Sequence, residues 1–454
     1  MNLFDRVRVP DAAGPGSASI VLSLPGWEAG RVVPTAHSVV VLPPTAGAGA
    51  ERVAANLVAT LAHPERGAGL GAVRFSPDGK QLFASGYPSG VVQTWDAATR
   101  AETRRITTPP GSRSTSDYAL LAPDWKTLYV LVETRKTVHG DRAGKLVART
   151  EYGGEIRVRD LATGEDKAPL RPPAGSAPVA GRISPDGAYL ACVERPSSDA
   201  EARGTKDIVV VWDLATGGRR KLADGFGLPV FAPDGRTLAL AVSDPGAKAS
   251  VVKRLDPATG QGAATLACPD RDRQFSAEAF SPDGSLIALS VGGKKGAPRE
   301  VWFRDARTLA DRGRYVGPAG PERYGWGAGG FTPDGARYVI LGGDAVRVWD
   351  VVAGKVVRSV EVGPNADTLA VAPDGKTLAV GWRPTWDKEQ VGGRHPDPTE
   401  LPQPRVTLLD LNGVAAPRVL VCPHGYVGVL AFSPDGKTLA CGSAGSVHLF
   451  ELGK

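Results

Sequence analysis

Apolar and polar residues alternate along most of this chain in short runs, and the runs come in pairs about one recurring phrase. Its fullest copy is residues 432–440, Phe-Ser-Pro-Asp-Gly-Lys-Thr-Leu-Ala. Before the turn Val429, Ala431 and Ser433 interleave with Leu430 and Phe432, and after it come Leu439 and Cys441, the period-two pattern of strands buried in a stack. The phrase predicts a tight hairpin: proline pre-sets φ at the first corner, aspartate suits the next, and glycine accepts the positive φ that returns the chain. Its proline stands at Pro77, Pro123, Pro185, Pro233, Pro282, Pro333, Pro373 and Pro434, at intervals of 46, 62, 48, 49, 51, 40 and 61 residues. The second copy has Trp125 in the glycine's place. A tryptophan at positive φ costs about 1–3 kcal/mol, so a looser turn of another kind is expected there.

From Gly71 onward each period reads strand, hairpin, strand, variable loop, third strand ending in an acidic residue, short glycine-containing turn, fourth strand. Four strands and one hairpin per period of this size form the pattern of a propeller blade. The fold class is therefore all-β, a closed β-propeller, with eight hairpins pointing to eight four-stranded blades and seven as the alternative. The sequence stops directly after a third strand, while 56–61 has no partner at the other end. The two are expected to pair, completing the last blade and removing its exposed edge. Residues 55–454 are then one propeller, since neighbouring repeats share a continuous core, and 1–54 are an unassigned N-terminal extension. Within the unrepeated part, 19–24 and 38–42 are short β-prone runs. Val53, Leu57, Val58 and Leu61 would also suit one face of a short helix, although alignment with the later periods favours a strand for 56–61.

The third strands end at Trp95-Asp96, Arg159-Asp160, Trp212-Asp213, Leu255-Asp256, Arg304-Asp305, Trp349-Asp350, Leu409-Asp410 and Phe450-Glu451. The acidic side chain can accept backbone N–H bonds in the following turn, and the large residue before it fills the gap between blades. Asp96, Asp160, Trp212, Asp213, Trp349, Asp350 and Asp410 are thus structural. Val211-Trp212-Asp213-Leu214-Ala215-Thr216-Gly217 and Val348-Trp349-Asp350 resemble the endings of WD-repeat β-propellers, and 432–443 resembles the preceding strand pair in the bacterial form of that family. The resemblance covers about 56–454. It implies a protein-binding platform, and a buried histidine, hydroxyl, aspartate and tryptophan network in each blade. Only His63 and His424 occupy the histidine place, and Ser443-Ala444-Gly445-Ser446 lacks the aspartate, so apolar packing must carry most of the stability.

Composition narrows the function. A net charge of +6 on 454 residues is too weak and scattered to call for nucleic acid. Residues 1–16 are charged at Asp5, Arg6, Arg8 and Asp11 and do not read as a secretory signal, and no apolar run reaches about 18 residues, so no membrane span is expected. Cys192, Cys268, Cys422 and Cys441 lack metal-type spacing and read as buried thiols in a reducing, cytoplasmic setting. His139-Gly140-Asp141 and His395-Pro396-Asp397 pair imidazole with carboxylate, but in mobile-looking loops of blades that are not neighbours. No nucleophile elbow or phosphate loop occurs.

Sequence variation collects on one face. The hairpins and aspartate turns stay short, whereas the second-to-third-strand loops carry the insertions 133–155, 194–207, 292–299 and 382–405. These hold Tyr152, Trp382 and Trp386, and the blade connections add Tyr324, Trp326 and Tyr426; the basic residues Arg135, Arg142, Lys294 and Lys295 share that face. Aromatic residues with arginines on variable loops are the candidate contacts for a partner, unless they pack down to order their own loops. The expected function is a non-catalytic, monomeric scaffold for another protein or peptide, with no cofactor. The alternative is a propeller enzyme or small-molecule binder working at the channel mouth.

Overall fold

The computed structural model describes residues 56–453 apart from 64–68, 88–90, 108–118, 143–144, 200–206, 245–248, 271, 293–297, 318–328, 343–344, 364, 383–404, 424–425 and 444. The β-prone runs at 19–24 and 38–42 lie outside these residues. Eight four-stranded antiparallel blades form a propeller, seven of them at 69–106, 119–170, 176–224, 229–267, 274–316, 329–361 and 366–421. The eighth takes three strands from 429–451 and its outer strand, Asn56–Ala62, from the other end of the chain. Asn56 faces Glu451 and Leu61 faces Val447 in that pairing, so the expected latch is present and the seven-blade alternative falls. The two halves of blade 8 also share a side-chain bond, Thr60 Oγ1 to His448 Nδ1 at 3.0 Å.

Each hairpin phrase closes as its residues dictate, with a finer rule beneath. Where serine or threonine precedes the proline, the hydroxyl donates to the aspartate two residues on and accepts the N–H five residues on. Ser76 does so with Asp78 (2.6 Å) and Gln81 (2.8 Å), and Ser433 with Asp435 (2.6 Å) and Thr438 (2.9 Å). Alanine stands there in three copies, and in two of them, at Ala122 and Ala372, the aspartate itself accepts from Thr127 N (3.3 Å) and Thr377 N (3.0 Å). The second hairpin is not the looser turn its tryptophan predicts. Trp125 sits at φ 59°, in the glycine's conformation, and its N–H reaches Ala122 O at 3.0 Å as Gly79 N reaches Ser76 O at 2.8 Å. Its ring meets Phe83 of blade 1 edge-on, centroids 6.4 Å apart, and that packing offsets the backbone strain.

The strand-end aspartates act as expected. Asp213 accepts from Ala215 N (3.0 Å) and Thr216 N (2.9 Å), and Asp96, Asp160, Asp256 and Asp305 repeat the pattern. The next residue then ties this turn to the hairpin below it, as Leu214 N does to Ala188 O at 2.9 Å. Seven blades carry that bond. Blade 4 has Pro257 at the donor position, and proline has no N–H to give. Two of these turns depart from the glycine rule: Arg100 and Leu309 hold positive φ of 62° and 59°. Leu309 buries its side chain in the core, and Arg100 reaches Val58 O of the latch at 2.6 Å, so each side chain has a use that glycine could not supply.

Eight apolar clusters fill the eight seams, each drawing on two neighbouring blades. The seam between blades 8 and 1 joins Leu61 of the latch to Trp95, Leu82 and Val73 and to Val447 and Leu449. Trp95, Trp212, Trp349 and Phe450 are all buried. His63, in the place the family network implies, is buried with Nε2 3.2 Å from Val91 O, and His424 lies outside the described residues.

Candidate protein-interaction face

The hairpins and aspartate turns share one face, tied to each other as above, so the second-to-third-strand connections and blade links take the other. On that second face the insertion at 133–155 is strand, not loop. Thr127–Arg142 and Lys145–Asp160 pair without a break from Thr127↔Asp160 to Arg142↔Lys145. At about 3.4 Å per residue, the pairs past Val132 carry this ribbon roughly 30 Å beyond its blade. Sequence pattern hid it because 133–137 and 149–151 are charged and polar residues in unbroken runs, so no apolar alternation marks it. Its β-branched and aromatic residues, Thr134, Thr137, Val138, Thr150 and Tyr152, nonetheless favour extended chain.

The ribbon leaves the blade at Gly153-Gly154. A Cβ on Gly154 would stand 2.1 Å from Val132 O and 3.0 Å from the Pro178 ring of blade 3, so only glycine fits where the two blades meet. Blade 3 then braces the ribbon from the side. Its insertion contributes Ser198–Asp199, which pair with Thr150 and Arg149, and Ser197 Oγ accepts from Tyr152 N at 2.8 Å. Tyr152 lies between two guanidinium groups, Arg135 across the ribbon and Arg195 of blade 3, each 5.9 Å from its ring centre. Asp207 holds Arg195 through two bonds of 3.0 Å, which raises the arginine's pKa. Beneath this, the fully buried Glu194 carboxylate pairs with Arg219 at 2.5 Å, and burial pushes the neighbouring Cys192 thiol well up.

The structure thus brings together Tyr152 and Arg135 and adds Arg195, Ser197 and Asp207, which sequence reading missed. A signal was available: consecutive blades carry long insertions, and the second has an arginine, Arg195, next to its first residue and an aspartate, Asp207, as its last. Arg142 ends the ribbon's register opposite Lys145. Exposed His139 stands on a ribbon strand with Asp141, not in the mobile loop expected. Trp382 is half-buried against Gly363, with the Arg405 guanidinium 3.7 Å above its ring, and burial lowers that arginine's pKa. Tyr426 packs on Gly69 of blade 1. Tyr324, Trp326, Trp386, Lys294, Lys295, His395 and Asp397 lie outside the described residues.

A second polar knot sits at the same end of blade 5. Glu300 accepts from Arg273 (2.5 Å) and Trp302 Nε1 (2.6 Å), and Arg273 also reaches Val291 O and Pro298 O. These bonds tie the blade's end together. A cavity of about 240 Å³ between blades 7 and 8 opens beside Asp374 and Asp410, whose carboxylates are engaged by backbone N–H groups of their own turns. Among the described residues no three His, Cys, Asp or Glu side chains converge as a metal site would need, and no helix is long and apolar enough to cross a membrane.

Comparison with known proteins places the architecture. The family described as WD domain, G-beta repeat matches residues 418–451, the end of blade 7 and the three C-terminal strands of blade 8. The C-terminal WD40 domain of Sif2 superposes with a TM-score of 0.55 at 13% identity, covering 87% of this chain and 99% of that one. The chain is a β-propeller with a WD repeat at 418–451. Weaker likenesses are Kuenenia stuttgartiensis hydrazine synthase (TM-score 0.46, 18% identity, 86% of this chain and 97% of that one) and a chain of a mitotic checkpoint complex (0.48, 14%, 78% and 92%). No curated protein is significantly similar to it in sequence. Because 1270 solved chains match this propeller in shape, the likeness carries its architecture and no single activity.

Proposed function

We propose that this propeller is a non-catalytic scaffold that receives another protein or peptide on the face bearing the long insertions, with the blade 2 ribbon as the main contact. The observation that carries this reading is the bracing. The ribbon of two 16-residue strands runs well past its own blade, yet the neighbouring blade holds it with a short strand pairing, the Ser197 hydroxyl and the Arg195 guanidinium over Tyr152. Rigid presentation of a polar, arginine-rich projection suits recognition, because the conformational entropy of docking has already been removed. Past Val130 the outer edge of Thr127–Arg142 pairs with no strand among the described residues, so an extended partner segment can add to it by main-chain hydrogen bonds. Charged Arg135 and Lys136 guard that edge against indiscriminate pairing. We place this work in the cytoplasm, with the protein a monomer and its four thiols reduced.

The test replaces residues 134–153 by an Asn-Gly turn, beside a Tyr152→Ala variant, and compares both with the intact protein in affinity capture from the native cell. The expected result is a partner held by the intact chain, lost on ribbon removal and weakened by Tyr152→Ala, with thermal midpoints within a few degrees of one another. A partner retained undiminished by the ribbonless variant, or a bound metabolite retained in place of any protein, refutes the reading.

A further inference from the structure

Two of the four cysteines come together in the fold although 19 positions separate them. Cys422 directly follows the outer strand of blade 7, Arg418–Val421, and Cys441 lies in Thr438–Ser443 of blade 8; their sulfurs are 3.1 Å apart. Both are free thiols with no solvent exposure, enclosed by Leu408, Leu420 and Val427 on one side of the seam and Leu439 and Phe450 on the other. A disulfide needs about 2.05 Å between sulfurs, so a closure of roughly 1 Å makes the bond. We propose that Cys422 and Cys441 are an oxidation site: a hydroperoxide converts them to a disulfide that staples blade 7 to blade 8. The pair lies in the seam between blades 7 and 8 and not on the blade 2 ribbon.

With hydrogen peroxide as the hydroperoxide and two-electron oxidant, the chemistry balances. One sulfur attacks the peroxide, the O–O bond breaks, and a sulfenic acid and water form. The second thiol displaces the sulfenic hydroxyl as a second water, giving one S–S bond with both thiol protons accounted for. The location gives the bond its consequence. Blade 8 is assembled from both chain ends, and its latch strand is held by noncovalent contacts: strand pairing, packing and the Thr60–His448 bond. A staple to blade 7 keeps the three C-terminal strands docked when the latch lifts. Burial raises the Cys441 thiol well above its ordinary value, so the closed ring reacts slowly and oxidation runs through transient opening of the seam.

The experiment treats the whole protein with hydrogen peroxide and reads intact mass, tryptic map and thermal midpoint with and without dithiothreitol. Trypsin cuts after Arg418 and Lys437, so the reduced chain yields 419–437 and 438–454 as separate peptides. The expected result is a loss of about 2 Da, these two peptides joined, and a midpoint raised by about 3–4 °C that dithiothreitol reverses. Cys422→Ala and Cys441→Ala should each abolish the joined peptide, Cys192→Ala and Cys268→Ala should not, and Leu61→Ala in the latch should speed its formation. Four thiols still titrating, a different pairing, oxidation of single cysteines without the cross-link, or a joined pair with no midpoint change would each overturn the proposal.

Discussion

The Pro434 ring of the last blade lies 3.6 Å from where a Cβ would sit on Gly79 of the first. The same proline-to-glycine contact recurs between other neighbouring blades, as Pro123 with Gly187, Pro233 with Gly284, Pro282 with Gly335, Pro333 with Gly375 and Pro373 with Gly436, so the Pro434 contact joins the last blade to the first in the way those blades are joined. Gly79 also holds φ 72°. Gly79→Val therefore meets both backbone strain and the proline, and should lower stability by about 2 kcal/mol in denaturant unfolding, whereas Gly453→Ala, with open space around it, should change it little.

Trp125 offers a sharper contrast. Trp125→Ala keeps the unfavourable φ and loses the ring contact with Phe83, while Trp125→Gly loses the contact but relieves the backbone. Glycine should be the milder substitution by about 1 kcal/mol, an inversion of the usual order in strands and helices. Equal losses would show that the left-handed conformation carries no strain here.

The Glu194 and Arg219 pair under the ribbon's brace predicts a non-additive cycle. Glu194→Ala leaves the Arg219 guanidinium, only partly exposed, without its partner and should cost about 3 kcal/mol. Glu194→Leu combined with Arg219→Met should recover most of that loss, measured by the urea midpoint. A double variant no better than the worse single one would show that shape, and not charge, fixes the pair.

The turn aspartates make the fold sensitive to acid. The Ser76 hydroxyl holds Asp78 below its ordinary 3.8, the Thr99 and Thr216 N–H groups do the same for Asp96 and Asp213, and Arg312 lowers Asp305 further. A depressed folded-state pKa gives stability that is complete above the unfolded value and is lost as pH falls through the folded one. The urea midpoint should hold level down to about pH 5 and fall below about pH 4, with a shallower fall in Asp213→Asn. A fall centred near pH 6 would show that groups other than these aspartates set the acid limit.

The latch sets how the ring opens. Leu61→Ala empties part of the seam between blades 8 and 1 and should lower stability by about 2 kcal/mol, and removal of residues 1–62 should lower the thermal midpoint sharply. An unchanged midpoint after that deletion would show that blade 8 holds without its outer strand.

The sequence by itself determined the hairpins, the eight blades and the need for a strand from the other end, because turn chemistry and period-two burial act over neighbouring residues and repeat wherever the phrase repeats. Its errors fall where a distant contact outweighs a local rule. Phe83 keeps Trp125 in a glycine's conformation, and the latch carbonyl of Val58 and the core do the same for Arg100 and Leu309. Only tertiary structure decided that 133–155 is a ribbon, that Arg195 of another blade closes on Tyr152, and that Cys422 meets Cys441. Those relationships join residues on separate strands or blades, whose approach is set by the closing of the ring and leaves no periodic trace along the chain.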